Sequence, residues 1–182
     1  IEGCVKKMDL FIHKIIEYYK GIRLENEIAE VKFDQLFTDS IEMNHMVNPL
    51  IQFSTNVNQN IPFYCDEFRL SLIVNNLVSN AVKYQRADET NPSIQLIAVV
   101  NEQEANIEII DNGVGIIEEH LTKIFDIFFR SSDFKNGLGI GLYIVKEALN
   151  RLKGKIHVQS VYGKGSHFVL TIPNQAAPKL PE

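Results

Sequence analysis

Cysteine is nearly missing from this 182-residue chain: Cys4 and Cys65 stand far apart, outside any Cys-x-x-Cys or Cys/His cluster. That spacing excludes a disulfide scaffold and a structural zinc site, and it fits a reducing, cytoplasmic compartment. Positive charge is also short, since 18 Lys and Arg against 23 Asp and Glu leave a net charge of -5. Without a broad basic field no nucleic-acid partner is expected; small molecules or proteins are. No apolar run approaches the roughly 20 residues that cross a bilayer, so no membrane contact is expected of this stretch, and its start shows no secretory-signal pattern. No internal repeat is visible. The chain opens Ile1-Glu2-Gly3 with no initiator methionine and already in helical rhythm, which reads as a piece of a longer polypeptide.

What is present suits a globular domain with an appendage, at 45% hydrophobic and 23% charged residues. Val5, Met8, Ile12, Ile15, Tyr19 and Ile22 recur at steps of three and four, a heptad seam that predicts a long helix pairing with another. A boundary is placed near 27 to 30, dividing a partial helical hairpin (1–28) from a domain over 29–174 and a flexible tail (175–182). Within the domain a short strand is expected at Val31 to Asp34, with Asp34 capping a helix that runs to about Met46. Short strands follow near 50–57 and 61–65, then a helix capped by Asp66 with Leu70, Ile73, Val74, Leu77 and Ala81 on its apolar face. Two alternating runs, Ile94 to Val100 and Ala105 to Ile110, read as an antiparallel pair. A short helix near Glu118 to Ile124 and a flexible stretch from Phe125 to Asn136 precede a helix from about Gly139 to Leu152, stopped by Gly154. A hairpin of Ile156 to Val161 and Ser166 to Ile172 closes the domain. The histidines His45, His120, His157 and His167 read as exposed polar positions.

Three polar stretches stand out in fixed order. On the first, Asn76, Asn80, Lys83 and Tyr84 fall at i, i+4, i+7 and i+8, one stripe beside the apolar face of a helix. The spacing serves a solvated polar face as well as a pocket rim, although asparagine is a poor helix former and two of them in mid-helix weigh toward the rim. An amide oxygen such as that of Asn80 can ligate Mg²⁺, which takes one or two protein oxygens plus water and phosphate. On the second, Asp111 ends an apolar strand and meets Gly113 and Gly115; this is either a turn signal or a carboxylate placed to accept an exocyclic amine. On the third, Gly137, Gly139 and Gly141 open an amphipathic helix, where backbone amides and the helix N-terminus favour phosphate. No strand feeds directly into this loop, which excludes a Rossmann unit, and no Gly-Lys-Ser/Thr follows, which excludes a Walker loop.

Taken together, these stretches resemble the catalytic domain of sensor histidine kinases, within the wider gyrase, heat-shock chaperone, histidine kinase and mismatch-repair ATPase group. NNLVSNAVKY resembles the asparagine box, DNGVGI the first glycine box, IFDIFFR the phenylalanine box, NGLGIGLYIVKEAL the second glycine box and GKGSHFVLTIP the closing hairpin. The likeness runs over residues 31 to 173, and the heptad helix resembles the second helix of the family's dimerisation and phosphoacceptor hairpin. It implies a Bergerat-type α/β (α+β) sandwich: a mixed, mainly antiparallel sheet with helices on one face, the other face being polar or covered by the N-terminal helix. It implies ATP and Mg²⁺ as cofactors, with Asn80 on the metal, Asn76 beside the phosphates, Lys83 on phosphate and Tyr84 near the nucleotide. Asp111 would bind the adenine amine, Gly113, Gly115 and Ile116 would shape the base pocket, and Arg130 would reach the terminal phosphate. Gly137, Leu138, Gly139, Ile140, Gly141 and Leu142 would form the lid hinge, with Lys135 on a short lid and Ser166 near the base. Leu138 and His167 depart from the pattern, which usually has hydroxyl residues there, and neither change removes a principal ligand.

The likeness also implies an activity, partners and a place in the cell. Hydrolysing members of the wider group carry glutamate where this chain has Asn76, and an amide cannot deprotonate water. Phosphoryl transfer by a protein histidine kinase is therefore expected in place of hydrolysis, the ATP being held for a histidine on an upstream helix and the phosphoryl group passing on to the receiver domain of a response regulator. His13 follows the seam residue Ile12 and lacks an acidic neighbour, so the chain is not expected to phosphorylate itself. A homodimer through the N-terminal helix and a cytoplasmic location, with any inner-membrane anchor elsewhere in the parent, complete the expectation. A module that senses ATP or scaffolds a dimer without catalysis is the alternative, and a gyrase-like ATPase a more distant one.

Overall fold

The computed structural model describes residues 27–130 and 139–176. The heptad helix, dimerisation through it, His13, and the lid residues Lys135, Gly137 and Leu138 lie outside the described residues. Strict alternation builds the centre of the main sheet. In β4 (Ser93–Val100) it turns Ile94, Leu96, Ala98 and Val100 to one side, and in β5 (Glu104–Asp111) Ala105, Ile107 and Ile109, all buried. Their antiparallel register sets Leu96 across from Ile109 and Ala98 across from Ile107. On the far side of β5, β7 (Gly165–Pro173) brings Phe168 opposite Ile109 and Leu170 opposite Ile107, continuing the apolar face.

With β2 (Gln52–Asn58) and β6 (Lys155–Val161) as edges, the five strands lie in the order β2-β4-β5-β7-β6. Only the β2 to β4 pairing is parallel, and its crossover contains the helix α2 (Glu67–Lys83). Three helices, α1 (Phe33–His45), α2 and α3 (Gly141–Leu152), cover the apolar face. Each has a buried stripe: Phe33, Leu36 and Phe37 on α1; Leu70, Ile73, Val74, Leu77 and Ala81 on α2; Ile144, Val145, Ala148, Leu149 and Leu152 on α3. The opposite sheet face is largely polar, with Thr171 donating to Asn106 at 3.0 Å and His167 paired with Glu108 at 2.7 Å. The result is the expected two-layer sandwich. His167 is therefore half-buried beside Glu108, contrary to its reading as an exposed position. Among the described residues no helix is long and apolar enough to cross a membrane.

Three local expectations fail for identifiable reasons. The first strand is β1 (Ile28–Glu30), three residues earlier than expected, and it pairs with β3 (Tyr64–Asp66) in a separate two-stranded sheet. Asp34 does not cap α1, whose N-cap is Lys32; Gln59, far along the chain, accepts from Phe33 N at 3.0 Å and donates to Val31 O at 2.7 Å. At the end of α3 the left-handed position is Lys153, with φ 56°, and Gly154 N donates to Leu149 O at 2.9 Å, so the stop acts one residue early. Just past β7 the chain is still held, since Asn174 Oδ1 accepts from Tyr64 N at 2.9 Å and Gln175 N donates to Tyr64 O at 2.9 Å.

Asp66 caps α2 as its sequence position predicts, and it does more. One carboxylate oxygen accepts from Arg69 N at 2.8 Å, while the other meets the Arg69 guanidinium and accepts from Glu27 N at 3.2 Å. Both side chains are buried. Removing Asp66 takes its carboxylate from a guanidinium that stays buried, which costs far more than the pair contributes. Asp66→Ala is therefore expected to lower the unfolding free energy by about 3–5 kcal/mol in a urea titration, and a loss below ~1 kcal/mol would contradict this account.

Candidate functional site

A cavity of about 120 Å³ opens between α2, the start of α3, the end of β5 and the β6–β7 hairpin. That is smaller than the ~300–1,000 Å³ of a whole ligand cleft, and it suits one ring system with the rest of a ligand at the mouth. Asn80, Tyr84, Asp111, Gly115, Ile116, Arg130, Leu142 and Ser166, all singled out from the sequence, line it. The topology explains the convergence. The β5 to β7 register sets Asp111 opposite Ser166, and the segment after Asp111 folds back so that Val114 N donates to Tyr84 O at 2.8 Å.

Asp111 is the chemical centre of the apolar end. Gly113 N donates to its Oδ1 at 2.8 Å and the backbone of Ser166 also supports it, yet loss of water outweighs both and pushes its pKa up to about 6. Next to it, Ser160 Oγ donates to Gly165 O at 2.8 Å and accepts from Ile116 N at 2.8 Å. Since that uses the one hydroxyl proton of Ser160, Ser166 is the donor in the 3.0 Å contact between the two hydroxyls. The glycine turn touches the hairpin so closely that a side chain is excluded. Gly115 has φ 70°, and a Cβ on it would lie 2.2 Å from Val161 O.

Beside the cavity wall at Asn80 and Leu142, two helices meet. Asn76 is buried on α2 with its Nδ2 donating to Leu72 O at 2.7 Å. A Cβ on Gly141, the first residue of α3, would lie 3.2 Å from Asn76 Oδ1 and 3.9 Å from the Asn80 amide. Gly141 has no positive φ, so it is there for space: it lets the start of α3 come against both asparagines. The N-cap of α3, Ile140, supplies no side-chain acceptor, so the first-turn amides and the positive end of the helix face this junction uncapped by their own side chains.

Not every expected residue lines the cavity: Asn76 and Gly141 do not, although Asn80 and Leu142 beside them do. Lys83 is exposed, its Nζ 3.1 Å from Tyr84 Oη and 4.7 Å from the centre of that ring. Ile140 belongs to the core. Gly113 is buried beneath Asp111, where a Cβ would lie 2.5 Å from Tyr84 O. Gly139 lies at the edge of the aromatic segment, its carbonyl accepting from Phe128 N at 2.9 Å.

Other residues line the cavity without having been singled out, among them His120, Phe129, Tyr162 and Phe168. His120, expected at an exposed position, packs edge-on to Phe129 with ring centroids 5.3 Å apart, and its Nδ1 is buried without a hydrogen-bond partner. The alternation of β7 puts Phe168 on the same face as Ser166 and was the available signal. His120 and Phe129 sit in a 3₁₀ turn and an irregular segment, where no period reveals facing. Among the described residues no three His, Cys, Asp or Glu side chains converge as a metal cage. A cation held here would rest on amide oxygens and its own ligands, as Mg²⁺ permits.

The model of the family described as "Histidine kinase-, DNA gyrase B-, and HSP90-like ATPase" matches residues 65–176. The chain is 38% identical over 112 residues to sensor histidine kinase AtsR of Burkholderia thailandensis, covering 59% of this chain and 19% of that protein. It is 32% identical over 165 residues to cyanobacterial phytochrome B of Nostoc, covering 88% of this chain and 18% of that protein. It thus spans about a fifth of the length of these relatives. Full-length ShkA, solved in complex with AMPPNP, superposes with a TM-score of 0.74 at 23% identity over 92% of this chain and 36% of that one, a likeness of fold.

The raised pKa of Asp111 has a cost in stability. Between pH 3.8 and about 6 the unfolded chain releases this proton while the folded chain keeps it, so folding stability falls as pH rises and levels off above 6. Asp111→Asn is expected to raise the unfolding free energy at pH 7 by about 2–3 kcal/mol, the gain disappearing below pH 4. Urea unfolding across this range checks it; an equal change at pH 4 and pH 7 would contradict it.

Proposed function

The chain belongs to the histidine kinase-, DNA gyrase B- and HSP90-like ATPase family, and from that premise we propose that it is the ATP-binding part of a two-component sensor histidine kinase. One observation carries the reading: a cavity lined by a desolvated carboxylate, Asp111, and by Asn80 and Leu142 adjoins a helix start pressed against two amides, Asn76 and Asn80. The first is an acceptor for the exocyclic amine of adenine, and the second favours polyphosphate. Tyr84, Ile116 and Leu142 supply apolar surface for the base and sugar, while Arg130, which lines the cavity, and Lys83 beside Tyr84 are assigned to the phosphates. Lys135, Gly137, Leu138 and Gly139 belong to the lid of this reading.

The space at Gly141 and the amide oxygens of Asn76 and Asn80 fit Mg²⁺. When bound, it would offset charge on the phosphate oxygens. Asn80 would hold it, with phosphate and water as its other ligands. Asn76 decides what the ATP is for. A gyrase-like hydrolase needs a base for water at this position, and a carboxamide already donating to Leu72 O cannot act as one. Bound ATP is kept for a better nucleophile, a histidine of the parent protein upstream of this chain. Its imidazole nitrogen forms the new bond to phosphorus as the bond from phosphorus to the bridging oxygen of ADP breaks. The phosphoryl group then passes to an aspartate of a response regulator, and the dimer forms through the N-terminal helix.

Isothermal titration tests the reading directly. Asn80→Ala and Asp111→Ala are each expected to weaken Mg-ATP binding by at least about tenfold, and unchanged affinity in both would refute the site. Because the adenine amine needs an ionised acceptor, affinity is expected to be flat above pH 7 and to fall by up to about tenfold per unit below pH 6. Incubation with γ-labelled ATP is expected to leave the chain unlabelled; stable label on one of its own histidines would overturn the assignment of the acceptor.

A further inference from the structure

Three hydrogen bonds close a circuit at the mouth of the cavity. Val114 N donates to Tyr84 O at 2.8 Å, Gly163 N donates to Val114 O at 2.6 Å, and the Arg86 guanidinium donates to Gly163 O. Since Arg86 lies two residues after Tyr84, the circuit begins and ends on one loop, crossing the glycine turn and the β6–β7 hairpin on the way. Arg86 is itself held by Glu89, whose carboxylate also accepts from Asn91 N at 3.1 Å. The hairpin turn is fixed from inside as well, with Lys164 N donating to Val161 O at 2.9 Å.

Tyr162 rides on this turn. It lines the cavity, yet it is 55% exposed and takes no part in the core. The fold does not need its ring, whereas Gly163, the next residue, is tied down through its N–H by the glycine turn and through its carbonyl by Arg86. Tyr84, across the circuit, has Lys83 over its ring. An aromatic side chain left open at the edge of a ring-sized cavity, on a turn held from two sides, is placed to stack.

We propose that Tyr162 is a base-contacting residue, stacking on the purine whose amine Asp111 accepts, and that Arg86 is a positioning residue acting through it. This rests on the nucleotide reading above. A ring stacks on any purine, so Tyr162 adds affinity without choosing the base, and Asp111 does the choosing. It is also remote from the phosphates, so its contribution is the same whatever their number.

Titration calorimetry of the 182-residue chain with ATP, ADP and GTP separates the outcomes. Tyr162→Ala is expected to weaken ATP and ADP by the same factor, about tenfold, with the preference for ATP over GTP kept and urea unfolding unchanged, while Tyr162→Phe binds as the wild type does. Arg86→Ala is expected to weaken ATP by a smaller factor in the wild type and by nothing further in Tyr162→Ala, the signature of a residue acting through another. Binding by Tyr162→Ala within twofold of wild type would overturn the stacking role, and an Arg86→Ala effect of equal size in both backgrounds would overturn the positioning role. A wild-type chain that binds neither ATP nor ADP would instead defeat the nucleotide reading on which both rest.

Discussion

The carboxylate of Asp66 is the point at which the small sheet, the start of α2 and the entry of the chain into the domain meet. It accepts from the Arg69 amide and from Glu27 N, and it balances the buried Arg69 guanidinium. A buried charge this well partnered contributes less to net stability than a packed apolar group would; what it fixes is direction. α2 has to enter the core at one angle and one rotation, because its apolar stripe lies on the sheet while Asn76 and Asn80 lie along the edge of that stripe. A small roll of this helix would move both amides away from Gly141.

The cavity and the helix junction beside it solve opposite electrostatic problems. At Asp111 the fold removes water from an acid and leaves it short of donors, which raises its pKa and destabilises the native state in the absence of a ligand. At Gly141 the fold brings a helix N-terminus against two neutral amides and leaves that end rich in donors. A ligand with a hydrogen-bond donor at one end and negative charge at the other relieves both. The pairing argues for a nucleotide more strongly than either end does alone, because a surface turn and a capped helix would each have been left solvated.

The sequence made the regular parts legible because regular parts have a period. The alternation of Ile94 to Val100 and of Ala105 to Ile110 gives both strands and their buried face, and the stripe from Leu70 to Ala81 gives the helix that carries the asparagines. What escaped has no period. Gln59 caps α1 from another part of the chain, so Asp34, with the right letter in nearly the right place, looked like the cap. His120, Phe129 and Tyr162 lie in a 3₁₀ turn, an irregular segment and a hairpin turn, where facing is set by contacts between distant residues. The parallel pairing of β2 with β4 was hidden for the same reason: two strands adjacent in the chain went to different sheets.

Asn76 shows how a residue can be chosen for what it fails to do. Glutamate there would be a buried acid within reach of the phosphate end, unpaired unless it took up a proton, and ready to accept one from water. Asparagine keeps nearly the same shape, satisfies itself on Leu72 O, and still presents its Oδ1 beside Gly141. Under the proposed function the site binds and orients but has no group of its own to start the reaction. On the proposed reading the rate of phosphoryl transfer is set by how often an outside imidazole arrives in line, so control of the activity passes from this domain to whatever moves that imidazole.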